Sequence, residues 1–174
     1  AVSENVFDFD SNALALDNLQ IIAPDASQLK AETMVKTKFR SSADIKLAQT
    51  GTYKISQYSQ NVMATYRING EEKRWRGTED KMAQEIPAEA TDLKISRNYN
   101  RLETYVTYGS STNSVLKAEG QGLELLPLNH PTELFAQEST RFKVLLDGQP
   151  VANSKVSVIA GGVRYRGVLN EITA

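Results

Sequence analysis

The 174-residue sequence balances 20 Lys and Arg against 21 Asp and Glu, for a net charge of -1, so no long-range field draws it to nucleic acid or to an anionic membrane. It contains no cysteine, which excludes thiol catalysis, disulfide staples and cysteine-type zinc sites and suits a bacterial extracytoplasmic space. Hydrophobic residues make up 40%, adequate for a core, and no apolar run approaches the ~20 residues of a membrane helix.

Residues 1–10 lack the charged start and apolar run of a signal peptide, and there is no initiator Met, so processing or trimming is expected. Asp8-Phe9-Asp10-Ser11-Asn12 imitates the start of a calcium loop, but Ala13 and Leu19 stand where the loop requires Gly and Glu. A solvated segment is expected there. Residues 19–22 form a compact apolar strand closed by the turn Ala23-Pro24-Asp25-Ala26-Ser27. Residues 44–47 alternate poorly, whereas 51–56 alternate cleanly, which places Tyr53 and Ile55 on one face and Lys54 and Ser56 on the other.

Residues 62–68 run into Asn69-Gly70 and return over 71–76. Both turn residues tolerate positive φ, so this segment predicts a hairpin with a two-residue turn. Residues 78–86 predict a short helix: Thr78 as cap, Glu79 and Asp80 at the positive end of the helix dipole, Pro87 as stop, and Met82 and Ile86 packed on a sheet end. Beyond it, Leu93 and Ile95 mark one strand and Leu102, Tyr105 and Tyr108 a second, with Asn98-Tyr99-Asn100 between them. Residues 109–114 are polar and predict a mobile loop or turn.

A boundary falls near 126–131. Strands are then expected over 123–128, 141–146, 151–159 and 163–166, punctuated by Asp147-Gly148 and Gly161-Gly162. The pattern predicts an all-β protein of tandem β-sandwich modules, 1–125 and 126–174, with one short helix near 78–86. The second module reads as immunoglobulin-like and truncated, because such a sandwich takes about 100 residues and about seven strands. An unfinished sheet leaves an open edge, which predicts either residues beyond 174 or completion by a protein partner or a second copy.

Several segments in order are similar to a family of bacterial periplasmic proteins catalogued as domain of unknown function 4198. They are LDNLQIIAPDAS (16–27), SSADIKLAQTGTYKI (41–55), TYRINGEEKRWRGT (65–78), residues 86–109, and 122–166 with its phrase LLDGQPVANSKVSV (145–158). The resemblance implies two β-sandwich modules, the second resembling carboxypeptidase-regulatory and transthyretin-like sandwiches. It also implies a periplasmic location after signal-peptide removal, and for some members a role in nickel or cobalt uptake. Members resembling this chain begin with a His that would ligate metal through its amine and imidazole. Here that residue is missing, so nickel or cobalt is expected only of the full-length protein and no cofactor of this fragment.

Among individual residues, His130 is the only histidine and the one candidate metal ligand, against a structural role in the Asn129-His130-Pro131 turn. Arg74, Trp75 and Arg76 form a candidate anion or partner patch, since guanidinium stacks on indole and grips carboxylates; the rival expectation turns Trp75 to the core. Tyr66, Tyr99, Tyr105 and Tyr108 suit either a ligand groove or sheet packing. No nucleophile elbow, P-loop, dinucleotide glycine pattern or zinc-protease motif occurs, and Glu85 and Glu89 flank Pro87 without a catalytic setting. The sequence therefore points to a non-enzymatic periplasmic binding or accessory protein, with a structural or adhesive module as the alternative.

Overall fold

The computed structural model describes residues 13–159 and 168–173; the calcium-like segment 8–12, the Gly161-Gly162 turn and the strand expected over 163–166 lie outside the described residues. In chain order the strands are β1 (Leu19–Ile22), β2 (Gln28–Leu29), β3 (Thr33–Lys36), β4 (Ser41–Asp44), β5 (Gly51–Ile68) and β6 (Glu71–Gly77). The helix α1 (Glu79–Glu85) precedes β7 (Thr91–Tyr108) and β8 (Leu123–Pro127). A 3-10 turn at Pro131–Glu133 leads to β9 (Phe142–Leu146), β10 (Gln149–Pro150), β11 (Lys155–Ile159) and β12 (Val168–Thr173). The fold is all-β with one short helix, as the sequence predicts, and its described strands form several separate sheets, none closed into a barrel.

The chain divides into two compact units, one formed by residues up to Gln57 together with those from Leu102 onward, the other by Tyr58–Arg101. The antiparallel pair β8 and β9 (Leu125 opposite Val144) joins residues on either side of the division expected at 125/126.

In the first unit, β1 lies between β2 and β5, with Ile21 opposite both Leu29 and Ile55. The turn from β1 to β2 is the one expected at 23–27. Ala26 adopts φ 68°, and Asp25 Oδ1 accepts from the Ser27 amide at 2.9 Å and from the Ser27 hydroxyl at 2.6 Å. These bonds hold the Asp25 carboxyl below the usual carboxylate range. The poorly alternating residues 44–47 contribute only Asp44 to a strand, because β4 uses Ser41–Asp44 to pair with β3.

Two further expectations are corrected by continuity. β5 is one 18-residue strand rather than two: β1 pairs with it up to Gln57 and β6 takes over from Val62. The intervening Gln57-Tyr58-Ser59-Gln60-Asn61 is polar but contains no Gly or Pro to break the ladder. β7 likewise runs unbroken through Asn98-Tyr99-Asn100 along the other side of β5. The contacts Arg67–Asp92 and Thr52–Thr107 proceed in opposite chain directions, the mark of an antiparallel pair.

Tyr53 is fully buried at 0% exposure. Its hydroxyl donates to the Gln49 carbonyl at 2.9 Å and accepts from the Gln49 amide at 2.7 Å. A tyrosine bonded to the backbone four residues upstream is a tyrosine corner, a device that β-sandwiches use where the chain enters a strand. Tyr53→Phe removes both bonds without changing shape, and urea unfolding is expected to show a loss of about 1–2 kcal/mol.

The hairpin of β5 and β6 forms as predicted. Ile68 pairs with Glu71, and Asn69 and Gly70 take φ 52° and 83°, the two left-handed positions of a type I′ turn. Asp147 and Gly148 do the same between β9 and β10, with φ 49° and 77° and Leu146 opposite Gln149.

Candidate functional site

The second unit is a three-stranded arrangement of β6, β5 and β7 with α1. Antiparallel partners share a face, so Val62, Ala64 and Trp75 point one way, and Met63, Thr65, Arg67, Glu72, Arg74 and Arg76 the other. Val62 and Ala64 are buried, while Trp75, Met82 and Ile86 are half-buried. This is the face that α1 covers.

The helix is fastened at both ends. Arg97 of β7 donates to Glu79 from Nε at 3.0 Å and from Nη2 at 2.6 Å, a two-pronged grip that holds the Glu79 carboxyl below its ordinary value. Trp75 Nε1 of β6 donates to Glu85 Oε2 at 2.8 Å. Thr78 occupies the cap position with extended backbone but makes no side-chain cap bond; its side chain instead bonds Asp80, which is thereby held low. A seven-residue helix with no buried residue is sustained by these tertiary fastenings rather than by propensity.

The candidate patch Arg74, Trp75, Arg76 is therefore split. Trp75 turns toward the helix and contributes no stacking surface to the arginines. Its indole lies over Gly77, where an added Cβ would come within 2.5 Å of Cζ2. Gly77→Ala is expected to tilt the ring, weaken its bond to Glu85 and cost about 1–2 kcal/mol. Because Trp75 is the only tryptophan, the change is read directly as a shift in fluorescence emission.

The other face is open. Arg74 is 83% exposed on its side chain, and Met63 and Arg76 are exposed. Across β5, Arg67 adds a third guanidinium that the sequence reading did not group with the pair; the Asn-Gly turn, by fixing the register, is the signal that could have found it. A groove of about 410 Å³ opens here, lined by Thr65, Tyr66, Arg67, Glu72, Asp92, Leu93 and Lys94, a volume within the range of small-ligand sites. Arg67 and Asp92 approach only to 3.9 Å, with both side chains more than half exposed. Of the tyrosines considered from sequence, Tyr66 lines this groove; Tyr99, Tyr105 and Tyr108 do not.

The first unit buries a charge that the sequence does not reveal. The alternation of residues 51–56 places Lys54 and Ser56 on the face opposite Tyr53 and Ile55, yet Gly51, Thr52, Tyr53, Lys54 and Ser56 are all buried, because β5 is covered on both faces there. Lys54 Nζ lies 2.8 Å from Glu103 and 2.8 Å from Glu119. Burial alone pulls the amine down, but the two carboxylates outweigh it and hold Lys54 above its ordinary value. The neighbouring Glu124 is also buried and accepts the Glu119 and Gly120 amides at 2.7 and 2.8 Å. Lys54, Glu103 and Glu119 thus satisfy one another inside the fold, and Glu124 is satisfied by backbone amides.

His130 sits in a threonine network. Its Nδ1 accepts from the Thr132 amide at 3.3 Å, and Nε2 lies 3.0 Å from Thr52 Oγ1 and 3.3 Å from the Thr112 carbonyl. Thr112 and Thr52 exchange amide-to-hydroxyl bonds at 3.0 Å each, and Ser111 bonds Glu133. The polar 109–114 segment, expected to be mobile, is thus pinned to β5. Both imidazole nitrogens are engaged, and among the described residues no three His, Asp or Glu side chains converge as metal donors. The described residues do not fit a nickel or cobalt ion.

The family model described as "Domain of unknown function (DUF4198)" matches residues 1–174. No curated protein and no solved structure matches the chain. Among the described residues no helix is long and apolar enough to cross a membrane.

Proposed function

We propose that this chain, which belongs to the DUF4198 family, is a non-enzymatic periplasmic binding or accessory module that recognises its partner through the open face of the 58–101 sheet. One observation carries the proposal: α1 covers one face of β5 and β6, while the opposite face presents Arg67, Arg74 and Arg76 around Met63 and Thr65. A sheet face needed only for packing would bury apolar side chains, as the Val62 and Ala64 side does. Exposed guanidiniums in a fixed register suit carboxylate-bearing polypeptide.

The test is an NMR titration with a hexaglutamate peptide at low salt. Shifts centred on Arg67, Arg74 and Arg76 that fade as salt is raised support the proposal; shifts elsewhere, or none, overturn it. The nickel or cobalt setting implied by the family resemblance is a separate part of the proposal. Calorimetry of the protein with Ni²⁺ checks it, and no binding below millimolar concentration would remove it.

The alternative, a structural or adhesive module, is favoured by β8. Glu124 points inward there, while Leu123 and Leu125 are 42% and 47% exposed on the face they share with Leu146 and Val144. In this view the C-terminal strands belong to an immunoglobulin-like sandwich that associates through that face. Concentration-dependent sedimentation, abolished by Leu125→Lys, is the result that would prefer it.

A further inference from the structure

The charges of the open face are ordered. On one rung, Arg67 of β5 stands opposite Glu72 of β6 and beside Asp92 of β7, so two carboxylates flank one guanidinium. On the adjacent rung, Thr65 of β5 stands opposite Arg74, and Lys94 lies two residues beyond Asp92, so cations flank a hydroxyl. Thr65, Arg67, Glu72, Asp92 and Lys94 line the same groove. Glu72 also lies 3.8 Å from Arg74 on the next rung, so the negative excess of the first rung is concentrated at Asp92 and the positive excess of the second at Lys94. Residues two apart along a strand are separated by about 7 Å.

We infer that the groove binds a small zwitterionic ligand of the dipeptide class, with its ammonium at Asp92 and Glu72 and its carboxylate at Lys94 and Thr65. The assignment rests on the open face being the recognition surface. An extended dipeptide spans about 7 Å from end to end, which matches the separation of the two rungs. A simple anion satisfies only the Lys94 end, and a simple cation only the Asp92 end. The long Arg67–Asp92 contact leaves the Asp92 carboxylate oxygens room to accept from an incoming ammonium. Asp92 holds φ 52°, a left-handed backbone conformation that Asn also tolerates.

The experiment titrates the full chain separately with glycylglycine, acetate and methylammonium at constant ionic strength, following amide shifts. Glycylglycine is expected to perturb Thr65, Glu72, Asp92 and Lys94 and to bind at least tenfold more tightly than either single-charge probe. Asp92→Asn is expected to weaken glycylglycine about tenfold while leaving acetate unchanged, whereas Lys94→Gln weakens both. Unchanged spectra away from the groove establish that each variant is folded. Acetate binding the groove as tightly as glycylglycine overturns the zwitterion assignment and leaves the anionic recognition face standing. No shift at these residues with any of the three overturns the assignment, and the hexaglutamate titration then decides the face separately.

Discussion

Lys54→Met is expected to lower the unfolding free energy by about 3 kcal/mol at neutral pH, read from chemical denaturation. The side chain is 5% exposed and carries the cation between Glu103 and Glu119. Removing one partner of a buried ion pair costs ~3–5 kcal/mol because the remaining charge is left uncompensated. The lower end applies here, since the Glu119 side chain is 31% exposed and keeps part of its hydration. Glu103 is left facing a methyl thioether.

The native protein makes a complementary statement at the alkaline end. Lys54 titrates above its unfolded value, so the folded state binds its proton more tightly than the unfolded chain does. Its contribution to stability is fully present below the ordinary lysine pKa of ~10.4 and is lost as pH rises through the higher folded value. The methionine variant lacks this part of the alkaline decline. A variant with an unchanged alkaline limb and a loss under about 1 kcal/mol would show that the ion pairs are solvated.

Gly51→Ala is expected to cost about 3–4 kcal/mol, seen as a drop in the urea midpoint with the slope unchanged. Gly51 holds φ 138° at the start of β5, a conformation that costs an L-residue ~1–3 kcal/mol. A Cβ there would lie 2.5 and 2.7 Å from the Pro24 ring and 2.9 Å from Thr112 Oγ1. The ring is held in the 23–27 turn, and the Thr112 hydroxyl receives the Thr52 amide, so neither neighbour yields without losing other contacts. Overpacking of this kind adds ~1–3 kcal/mol. Gly70→Ala provides the control: φ is 83° and nothing lies within 4 Å of the added methyl. Its loss is expected to stay near ~1 kcal/mol, and the difference between the two variants isolates the steric part.

The parts of the fold legible in the sequence are those set by local chemistry. Asn69-Gly70 specifies its hairpin because few residue pairs accept two successive positive φ values. The helix is found within one residue at each end, because Thr78, Glu79, Asp80 and Pro87 are all terminus signals. Strand continuity is less legible. Gln57–Asn61 and Asn98–Asn100 read as interruptions by polarity, yet their backbones remain in a ladder whose neighbours come from distant parts of the chain. Lys54 shows why the core is harder still. Alternation tells which residues share a face, but not how many faces are covered, and a second layer over β5 buries the polar side as well.

The candidate site divides in the same way. Arg74 and Arg76 are selected by their neighbourhood to Trp75, whereas period-two geometry sends Trp75 to the opposite side. The useful companions of the arginines are Arg67 and Thr65 across the strand, with Asp92 and Lys94 beyond. Their grouping depends on the register of β5 against β6 and on the adjacency of β5 and β7, which a one-dimensional motif does not carry. His130 stands out as a lone histidine, but its neighbours are three threonines from separate segments.

The long strand β5 is anchored unequally along its length. From Gly51 to Lys54 every residue is buried, and the Tyr53 hydroxyl and the Lys54 ammonium fix that stretch from both sides. Beyond Ser56 only Val62 and Ala64 of β5 are buried, and the stretch of β7 from Thr91 to Arg97 is exposed throughout. Amide hydrogens at the Tyr53 end are therefore positioned to exchange only through global opening, and those near Leu93 through local fraying. A ligand seated across Thr65, Asp92 and Lys94 has to quiet the fraying portion, so binding carries an ordering entropy and trades affinity for the ability to fit differing occupants.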